Sequence, residues 1–552
     1  MRIAARVSVC ALIVAMGMCS SQVSASPSTT QSGSVSTVDP ADYPKLTQVE
    51  LGQIRHLTRL AHQLPGDWSG YSSRWLLTER TQQFQIAFAG MTLALAQHEY
   101  VPAYRELYQG AMEAYIEKLQ EPDIWERWFL SSRSGTRGGI LSDMQAGWLD
   151  PIAKDNIMLK AYLLQLAAAD EMLYGDHKYD QPGAFTFYYR GQGMGNGLIK
   201  FRYSLEDVAK NIHDEVVRSG YVGSSCEPAR IFWVCQAPSS VGFINFDQVH
   251  HTHYADVLPK MKDAWVKKGF IDPKDYRYSE VVFTAWDDRA ANQRPVELTP
   301  MNQDIGGWGG IFNHAWDKEF TKAAYYGVDH KGRDATLDYF LTGEYARAPQ
   351  AADNPIHAYD SIAWGIFIAY AAEVGDSDAV NKMIDYAQRN FNPIWENGEY
   401  YYPRNDDFSV DANGNSHGID PWTGNVFLTM ARLNKGDGFF NIYNQPWGDE
   451  QYRQPYISNV DALYVNVSQA YYDKRKDALI VTLEPGPIKG KRADFVIRQL
   501  DQKRTYAVFE DGHSLGELNS KHQPNSMVWN KDGTIKVSTD LDASHTFVLK
   551  GI

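Results

Sequence analysis

The sequence predicts a mainly α-helical protein, a toroid of helical hairpins followed by a C-terminal antiparallel β-sandwich. Two patterns predict this architecture. From about Pro44 to about Leu433, apolar residues recur with helical periodicity, and loops rich in Gly, Asp and aromatic residues separate the periodic segments. After about Pro446 the segments become short, β-rich and often alternating. A chain of 552 residues is long enough for two such domains.

The N-terminus carries the pattern of an export signal. The apolar run Val7–Met18 follows two arginines, is too short to span a bilayer with ease, and precedes small residues that end at Ala25. We therefore expect the first 25 residues to be a signal peptide. Residues 26–43 are rich in Ser and Thr and are expected to form a flexible leader. The mature protein is expected to be periplasmic or secreted.

The helical domain is expected to cover residues 44–445. No heptad pattern persists, so a coiled coil is excluded. Antiparallel helical hairpins closed into a toroid are favoured, and an open helical solenoid is the alternative. The clearest periodic segments are Leu51–Leu64, Glu79–Gln97, Ala103–Leu119, Asn156–Tyr174, Leu205–Arg218, Ala255–Lys268, 351–372 and Ala379–Asn390.

The β domain is expected to cover residues 446–552. We expect an antiparallel sandwich that acts as a packing module and carries no catalytic group. The predicted strands are Ala462–Val467, Ala478–Leu483, Ala493–Ile497, Tyr506–Phe509, Thr534–Val537 and His545–Leu549.

Composition excludes several classes of partner. The formal net charge is −14 and no Lys/Arg cluster stands out, which argues against nucleic acid and anionic membrane surfaces. No segment after the signal peptide reaches membrane-spanning length. A homo-oligomer is compatible with the sequence.

Two cysteines remain once the predicted signal peptide is removed, Cys226 and Cys235. Their spacing does not fit a zinc finger, and no second pair completes four ligands. Since the compartment is oxidising, they are compatible with a disulfide. The alternative is a pair of thiols that face one pocket and act as acid, base or nucleophile. Residues from Gln236 to His250 are predicted to be helical, which places Cys235 near a helix N-terminus, where a thiolate is favoured.

A second segment of interest is predicted to be helical and begins near Asp155. Met158, Tyr162 and Leu166 are four residues apart and share one face of this helix. Such a stripe is compatible with simple core packing. Met and Tyr together can also form the wall of an apolar pocket that carries a single hydroxyl group.

These two segments resemble the linalool dehydratase/isomerase family. The run Asp155-Asn-Ile-Met158 is similar to a family helix, and Cys226-Glu-Pro, Phe232 and Cys235 match a family segment with the same cysteine spacing. The similarity extends over roughly Leu51–Gly327. Supporting similarities are Phe84–Phe88, Tyr254–Pro273 and Phe312–Trp316.

The resemblance implies a fold and an activity. The family fold is a barrel of six helical hairpins of the (α/α)6 type. The family dehydrates linalool to myrcene and isomerises linalool with geraniol, using neither a metal nor an organic cofactor. The chain is thus expected to be a cofactor-independent hydro-lyase and isomerase, an alkenol dehydratase for a terpenoid-like alcohol.

The resemblance also implies site residues. Cys226 and Cys235 take the catalytic positions of the family cysteines. Tyr162 stands where the family has a histidine, a departure that bears on both substrate and proton route. Asp67 and Tyr71 lie in the region of a family Asp and Tyr, although their spacing differs. The residues expected to bind substrate are Met158, Phe232, His314 and Trp308.

Other classes of function stay open. A secreted carbohydrate-active enzyme (a polysaccharide lyase, glycoside hydrolase or uronate epimerase) would use paired acids in an open groove, with Asp304, Glu396 and Glu399 as loop candidates. A binding relative without activity is a further alternative. Three neighbouring histidines resemble no metal template and are interpreted as a solvated helix end. They are His250, His251 and His253.

Overall fold

Helices and a few short hairpins extend to Tyr452, and longer strands follow from Tyr456. The computed structural model describes residues 38–71, 82–133, 146–189, 198–228, 230–269, 271–274, 277–278, 281–283, 303–327, 331–341, 355–403, 419–488 and 492–552. The expected signal peptide lies outside these residues, as does the leader up to residue 37. The helices are α1 Gln48–Ala61, α2 Gln82–Tyr100, α3 Glu106–Lys118, α4 Pro122–Trp125, α5 Trp128–Ser131, α6 Ile157–Tyr174, α7 Leu205–Arg218, α8 Trp233–His250, α9 Leu258–Lys267, α10 Gln303–Asn313, α11 Lys318–Tyr326, α12 Lys331–Leu341, α13 Pro355–Glu373, α14 Ser377–Asn390, α15 Leu428–Leu433, α16 Gly438–Asn444 and α17 Asp449–Tyr452.

Six of the described helices form a closed inner ring in the order α2, α6, α8, α10, α13 and α15. Each packs against the next, and α15 packs back against α2. Helices α2 and α6 are buried around almost their whole circumference, as an inner layer requires. Helices α1, α7 and α14 are amphipathic and lie outside the ring. The predicted toroid of (α/α)6 type is confirmed, and the open solenoid is not formed.

Local sequence determines where the outer helices begin. Thr47 and Glu50 form a capping box at the start of α1, with the Glu50 carboxylate accepting from the Thr47 N–H at 2.7 Å. Ser204 and Asp207 form the same arrangement at the start of α7. Each box satisfies N–H groups that a helix leaves unpaired at its first turn.

Helices α6 and α8 approach each other closely because Gly242 lies between them. A Cβ atom at this position would be only 2.7 Å from Cγ of Leu164. The absent side chain therefore lets the two backbones come together. Helix α6 carries Tyr162 and helix α8 carries Cys235, two of the residues that the sequence predicted for the site.

Short antiparallel pairs of strands lie in the loops of the barrel. Their strands are β1 Phe185–Tyr189 with β2 Ile199–Tyr203, β3 Arg230–Phe232 with β6 Val281–Phe283, β4 Ile271–Asp272 with β5 Arg277–Tyr278, and β7 Ile394–Glu396 with β8 Glu399–Tyr401.

The C-terminal region forms two antiparallel sheets, as predicted. One has the strand order β10-β11-β17-β13-β14 and the other the order β15-β16-β12-β9. Phe495 of β12 packs against Phe547 of β17, with ring centroids 5.9 Å apart, so the two inner faces meet. The strands are β9 Tyr456–Ser458, β10 Val465–Asp473, β11 Ala478–Pro485, β12 Arg492–Arg498, β13 Tyr506–Glu510, β14 His513–Leu518, β15 Met527–Trp529, β16 Ile535–Asp540 and β17 His545–Gly551.

Residues from Pro40 to Ile552 form one compact unit. Among the described helices, none is both long enough and apolar enough to cross a membrane.

Candidate active site

The chain that carries Cys226 is held against the start of α6. The N–H of Asn156 donates to the carbonyl oxygen of Cys226 at 3.2 Å, and the N–H of Ile157 donates to that of Ser225 at 3.0 Å. The first N–H groups of a helix have no acceptor within the helix, so this segment supplies one to each. Cys226 is thereby fixed beside the N-terminus of α6.

One glutamine of α8 binds the same segment through two hydrogen bonds. Helix α8 begins at Trp233, three residues before the predicted start, and Cys235 lies in its first turn. The next residue is Gln236, whose side chain accepts from the Ser224 N–H at 3.0 Å and donates to the Ser224 carbonyl at 2.9 Å. This paired contact fixes the distance between the two cysteine-bearing stretches.

A buried group of charged and polar side chains also holds Ser224 in place. Lys160 is fully buried on α6, and its Nζ donates to Glu215 at 2.7 Å and to Asn211 at 2.7 Å. The Ser224 hydroxyl also donates to the Glu215 carboxylate. A buried charge persists only when it is paired in this way, so α6, α7 and the cysteine segment are locked together.

Asp155 lies at the edge of this group, immediately before α6. Its N–H donates to Glu215 at 2.9 Å, and its backbone adopts a left-handed conformation with φ of 55°. Burial, and secondly the negative charge of Glu215, raise the pKa of the Asp155 carboxyl to about 6. The group is therefore partly protonated in mildly acidic solution.

Cys226 and Cys235 are free thiols within hydrogen-bonding distance of each other in this structure. Cys235 is buried and Cys226 is partly buried. The hydrogen bond with Cys235, followed by burial, raises the pKa of the Cys226 thiol well above its usual range. The Glu227 carboxylate acts in the same direction through its charge and a hydrogen bond to Cys226. Cys226 is consequently protonated at neutral pH.

The structure brings Tyr162 to both cysteines. The side chain is fully buried on α6, and its hydroxyl has no hydrogen-bond partner among the described residues. Burial, then the charges that Cys235 and Cys226 would carry as thiolates, raise the pKa of Tyr162 well above its usual range. The hydroxyl is thus a buried, protonated donor near enough to both sulfurs to be affected by their charge, and it has no acceptor among the described residues.

Aromatic rings extend from Tyr162 across the centre of the ring of helices. Phe84 of α2 packs edge-on against Tyr162 at 5.9 Å and against Trp308 of α10 at 5.2 Å. Its face stacks on Trp422 at 5.9 Å with an interplanar angle of 10°. Trp308, one of the predicted substrate-binding residues, also meets Trp422 at 5.7 Å. An aromatic wall therefore adjoins Tyr162.

Two more predicted substrate-binding residues lie on α6 and directly before α8. Met158 is buried one turn before Tyr162 on α6. Phe232 immediately precedes α8, is partly buried, and accepts a hydrogen bond from Gln236 through its carbonyl oxygen at 3.1 Å. Both are neighbours in sequence of the site residues that the structure brings together.

Asp67 and Tyr71 make their described contacts elsewhere. Asp67 is exposed in a turn, where hydrogen bonds from Ser69 hold the pKa of its carboxyl below the usual value. Tyr71 is buried, but its hydroxyl donates to the Leu60 carbonyl at 3.1 Å and its ring meets Trp68 edge-on. The described contacts of these two residues are with the turn after α1 and with the outer layer, and none reaches either thiol.

His314 is likewise committed to other partners. It is fully buried just after α10, with Nδ1 2.8 Å from the Thr321 hydroxyl and Nε2 3.0 Å from Asp437. Burial lowers its pKa despite the nearby carboxylate. Both ring nitrogens are used by these contacts, which tie α10 to α11 and to the start of α16. This leaves neither nitrogen to orient a substrate.

The loop acids of the carbohydrate alternative are also engaged. Glu399 lies 2.7 Å from His56 Nδ1 and 2.7 Å from Arg59 Nε, and Glu396 accepts from the Tyr401 hydroxyl at 2.7 Å. The side chain of Asp304 lies outside the described residues. Glu399 thus stabilises the contact between α1 and the β7–β8 hairpin, and Glu396 stabilises the hairpin itself.

Sequence reasoning did not identify Glu227 or Trp422 as site residues. Glu227 was within reach, because it follows Cys226 directly and a carboxylate beside a thiol is an acid–base pair. Trp422 gave no signal, since about two hundred residues separate it from the cysteines and only the closure of the ring brings it near Phe84.

Comparison with known proteins agrees with the resemblance seen in the sequence. A sequence model of the family described as "Linalool dehydratase/isomerase" matches residues 83–408, more than half of the chain. Among solved structures, similarity is found to an unsaturated glucuronyl hydrolase specific for heparin (TM-score 0.38, 10% identity, 70% of this chain and 95% of that chain). It is also found to an α-1,6-mannanase from Salegentibacter sp. (TM-score 0.38, 10% identity, 70% and 98%). Likenesses this distant say nothing about the activity of this chain.

The family match includes Phe84, Tyr162, both cysteines and Trp308, which are the site residues and aromatic neighbours described above. The chain belongs to the linalool dehydratase/isomerase family.

Proposed function

We propose that the protein removes water from a small unsaturated, terpenoid-like alcohol, or moves its hydroxyl group across the allylic system, by acid–base chemistry. One observation carries the proposal. A protonated tyrosine hydroxyl without a described partner is buried beside two thiols and an aromatic wall. Such a site offers a proton donor to one polar group on an otherwise apolar ligand.

The chemistry needs a donor at the start of the cycle. Hydroxide is a poor leaving group, so the alcohol oxygen must receive a proton as the C–O bond breaks. The high pKa values of Tyr162 and Cys226 keep both groups protonated at neutral pH, so either can donate. The bond electrons leave with oxygen as water, and positive charge remains on the allylic carbons.

The same group can then close the cycle as a base. Having lost its proton, the tyrosinate or thiolate is a strong base because its pKa is high. It accepts a proton from the carbon next to the cation, the C–H electrons form the new double bond, and the acid is restored. In the isomerisation, water returns to the other end of the allyl system and gives up a proton to the same base.

The aromatic wall suits the charged intermediate. Phe84, Trp308 and Trp422 present π-faces and edges across the centre of the ring. A cation on carbon is stabilised near such faces, and burial keeps water from adding prematurely. Tyr162, which replaces the histidine that the resemblance implies, keeps one proton donor at this position.

The test is turnover of a panel of short terpenoid alcohols, measured by headspace gas chromatography under reducing conditions. Cys226→Ala and Cys235→Ala should each lower the rate by about 10²–10⁴-fold, the usual contribution of a general acid or base. Ser239→Ala is the matched control, since Ser239 is buried one turn after Cys235 and its hydroxyl donates only to the Gln236 carbonyl in the described structure.

Thermal melts separate this role from a structural one. If the cysteines served only as a disulfide, their loss would cost roughly 2–4 kcal/mol of stability and leave activity per folded molecule intact. We expect the opposite, with melting temperatures close to wild type and activity lost. Full turnover by both alanine variants under reductant would refute the proposal.

A further inference from the structure

Four potential metal ligands meet at the C-terminal ends of α6 and α8, away from the cysteines. Glu171 comes from the last turn of α6, His177 and Asp180 from the turn that follows it, and His250 is the last residue of α8. One ligand atom from each lies within 4.8 Å of all the others. The mixture of two imidazoles and two carboxylates is a donor set typical of zinc and similar divalent ions.

The distances are close to those of a tetrahedral site. His250 Nε2 lies 2.8 Å from Glu171 Oε2 and 3.4 Å from Asp180 Oδ1, and His177 Nδ1 lies 3.2 Å from Asp180 Oδ2. Ligands bound to zinc at about 2.0–2.2 Å in a tetrahedron are about 3.4 Å from one another. An ion would be seated when the four ligand atoms, which lie within 4.8 Å of one another, adjust toward this separation.

A second observation points independently to a ligand. Glu171 is fully buried, and its Oε1 has no hydrogen-bond partner in the described structure. A buried carboxylate oxygen is costly unless it is paired or binds a metal. The nearby lysine does not serve it, because Lys178 pairs with Glu113 and Asp176 instead.

We propose that Glu171, His177, Asp180 and His250 bind one divalent cation of the zinc type. The ion ties together the ends of two helices and the turn between β1 and α6. This corrects the interpretation of His250 as part of a solvated helix end, since its ring is packed at 4.2 Å from Phe246 and at 5.8 Å from His177.

The site is structural rather than catalytic. Cys235 and His250 lie at opposite ends of α8, so about 20 Å separates the ion from the thiols at 1.5 Å of rise per residue. The ion would hold the far ends of α6 and α8 in register while the near ends present Tyr162 and Cys235. The proposal does not depend on which reaction the thiols catalyse.

The experiment is a calorimetric titration of the full mature chain, first stripped with a chelator, with Zn²⁺ alone. Because thiols also bind zinc, the titration is repeated in a Cys226→Ala, Cys235→Ala background. We expect one Zn²⁺ per chain to remain in that background. His250→Ala and His177→Ala should each weaken it by at least about 100-fold, since even outer-shell changes cost 10–100-fold.

The matched control is His253→Ala, three residues further on and exposed. The His253→Ala variant should bind Zn²⁺ as tightly as the same background with His253 intact. Saturating Zn²⁺ should raise the melting temperature of His253→Ala but not that of His250→Ala. His177 is itself exposed, so its variant tests binding with little risk to folding. Equal affinity in the His250 and His253 variants, or loss of all binding with the two cysteines, would overturn the site.

Discussion

Tyr162 and Tyr115 are both fully buried tyrosines, but their hydroxyl groups have different surroundings. That of Tyr115 donates to the Leu57 carbonyl at 2.6 Å, whereas that of Tyr162 has no partner among the described residues. A buried hydroxyl without a partner costs folding energy. The pair therefore allows the role proposed for the Tyr162 hydroxyl to be tested against a hydroxyl that is paired within the fold.

We predict opposite outcomes for the two phenylalanine variants. Tyr162→Phe should keep or slightly raise the melting temperature and lower turnover by about 10²–10⁴-fold. Tyr115→Phe should lose about 1 kcal/mol of stability and keep its turnover per folded molecule. The measurements are thermal melts and the gas-chromatographic assay. Unchanged turnover in Tyr162→Phe would reduce this residue to packing.

Asp155 allows a prediction of pH dependence. Its folded pKa of about 6 lies above the ordinary value of 3.8, so the folded state binds the proton more tightly than the unfolded state. Stability is consequently unaffected by this group below pH 3.8, falls as pH rises toward 6, and stays lowered above it. Asp155→Asn removes the charge and tolerates the left-handed backbone.

At pH 8 the Asp155→Asn variant should therefore be more stable than wild type, by about 1–3 kcal/mol. At pH 4 the two should unfold together. Denaturant titrations at both values of pH test this, and a constant difference across the range would show that the carboxylate is not the cause.

At the scale of single residues, the sequence was informative where chemistry and spacing coincide. The cysteine pair and Tyr162 were identified because a matching spacing places them together, and the structure does bring them into one group. Asp67 and Tyr71 were carried over without matching spacing, and their described contacts lie elsewhere. Position in the chain alone does not place a side chain in a pocket.

Among the secondary-structure elements, helices were predictable to within about three residues. Helix α7 was predicted at the observed residues because its apolar stripe and its capping box agree. Helix α1 begins three residues earlier than predicted, at the Thr47 cap. The short strands β1 to β8 were missed, since two to five residues are too few for an alternating pattern to show.

The junction of α13 and α16 depends on a single carboxylate. Glu373 ends α13, and its Oε2 accepts from Asn434 at 2.6 Å and from the Phe439 N–H at 3.0 Å, while Oε1 accepts from the Phe440 N–H at 2.9 Å. Burial raises its pKa to about 7, although all three donors favour the charged form. Every donor here requires an oxygen acceptor.

Glu373→Gln should therefore destabilise the protein, by about 2–4 kcal/mol, although it removes a buried charge. The amide NH₂ must face at least one of the three donors, which leaves a buried N–H unpaired. Denaturant unfolding measures the loss. This outcome is the reverse of that for Asp155→Asn, and stabilisation by both variants would contradict the role assigned to the donors.

For the molecule as a whole, the sequence predicted a helical toroid and a β-sandwich, but not the contacts that close the ring. Ring closure depends on contacts such as that of α15 with α2, more than three hundred residues apart, which no local pattern encodes. In the C-terminal sheets, β9, β14 and β15 were missed because they are short or lie at an edge. The family resemblance supplied the number of hairpins.

The β region is joined to the barrel through the connection between α2 and α3. The Ala103 N–H donates to the Ala470 carbonyl at 2.9 Å, and the Ile457 N–H donates to the Ala103 carbonyl at 2.8 Å. Glu106 accepts from the Asn459 and Val460 N–H groups at 2.8 Å each. The barrel thus contributes backbone and side-chain partners to the edge of the β region.

We therefore predict that the two parts unfold together. Differential scanning calorimetry of the full chain should show one transition whose calorimetric and van't Hoff enthalpies agree, since each part supplies hydrogen-bond partners that the other needs. Glu106→Ala should lower this single transition without splitting it, because it removes two acceptors from the junction. A chain that ends at residue 445 should melt well below the full chain or aggregate, because the carbonyl and N–H groups of Ala103 lose their partners. Two separate transitions in the full chain would instead show a barrel that is stable on its own, and the β region would then be a detachable domain.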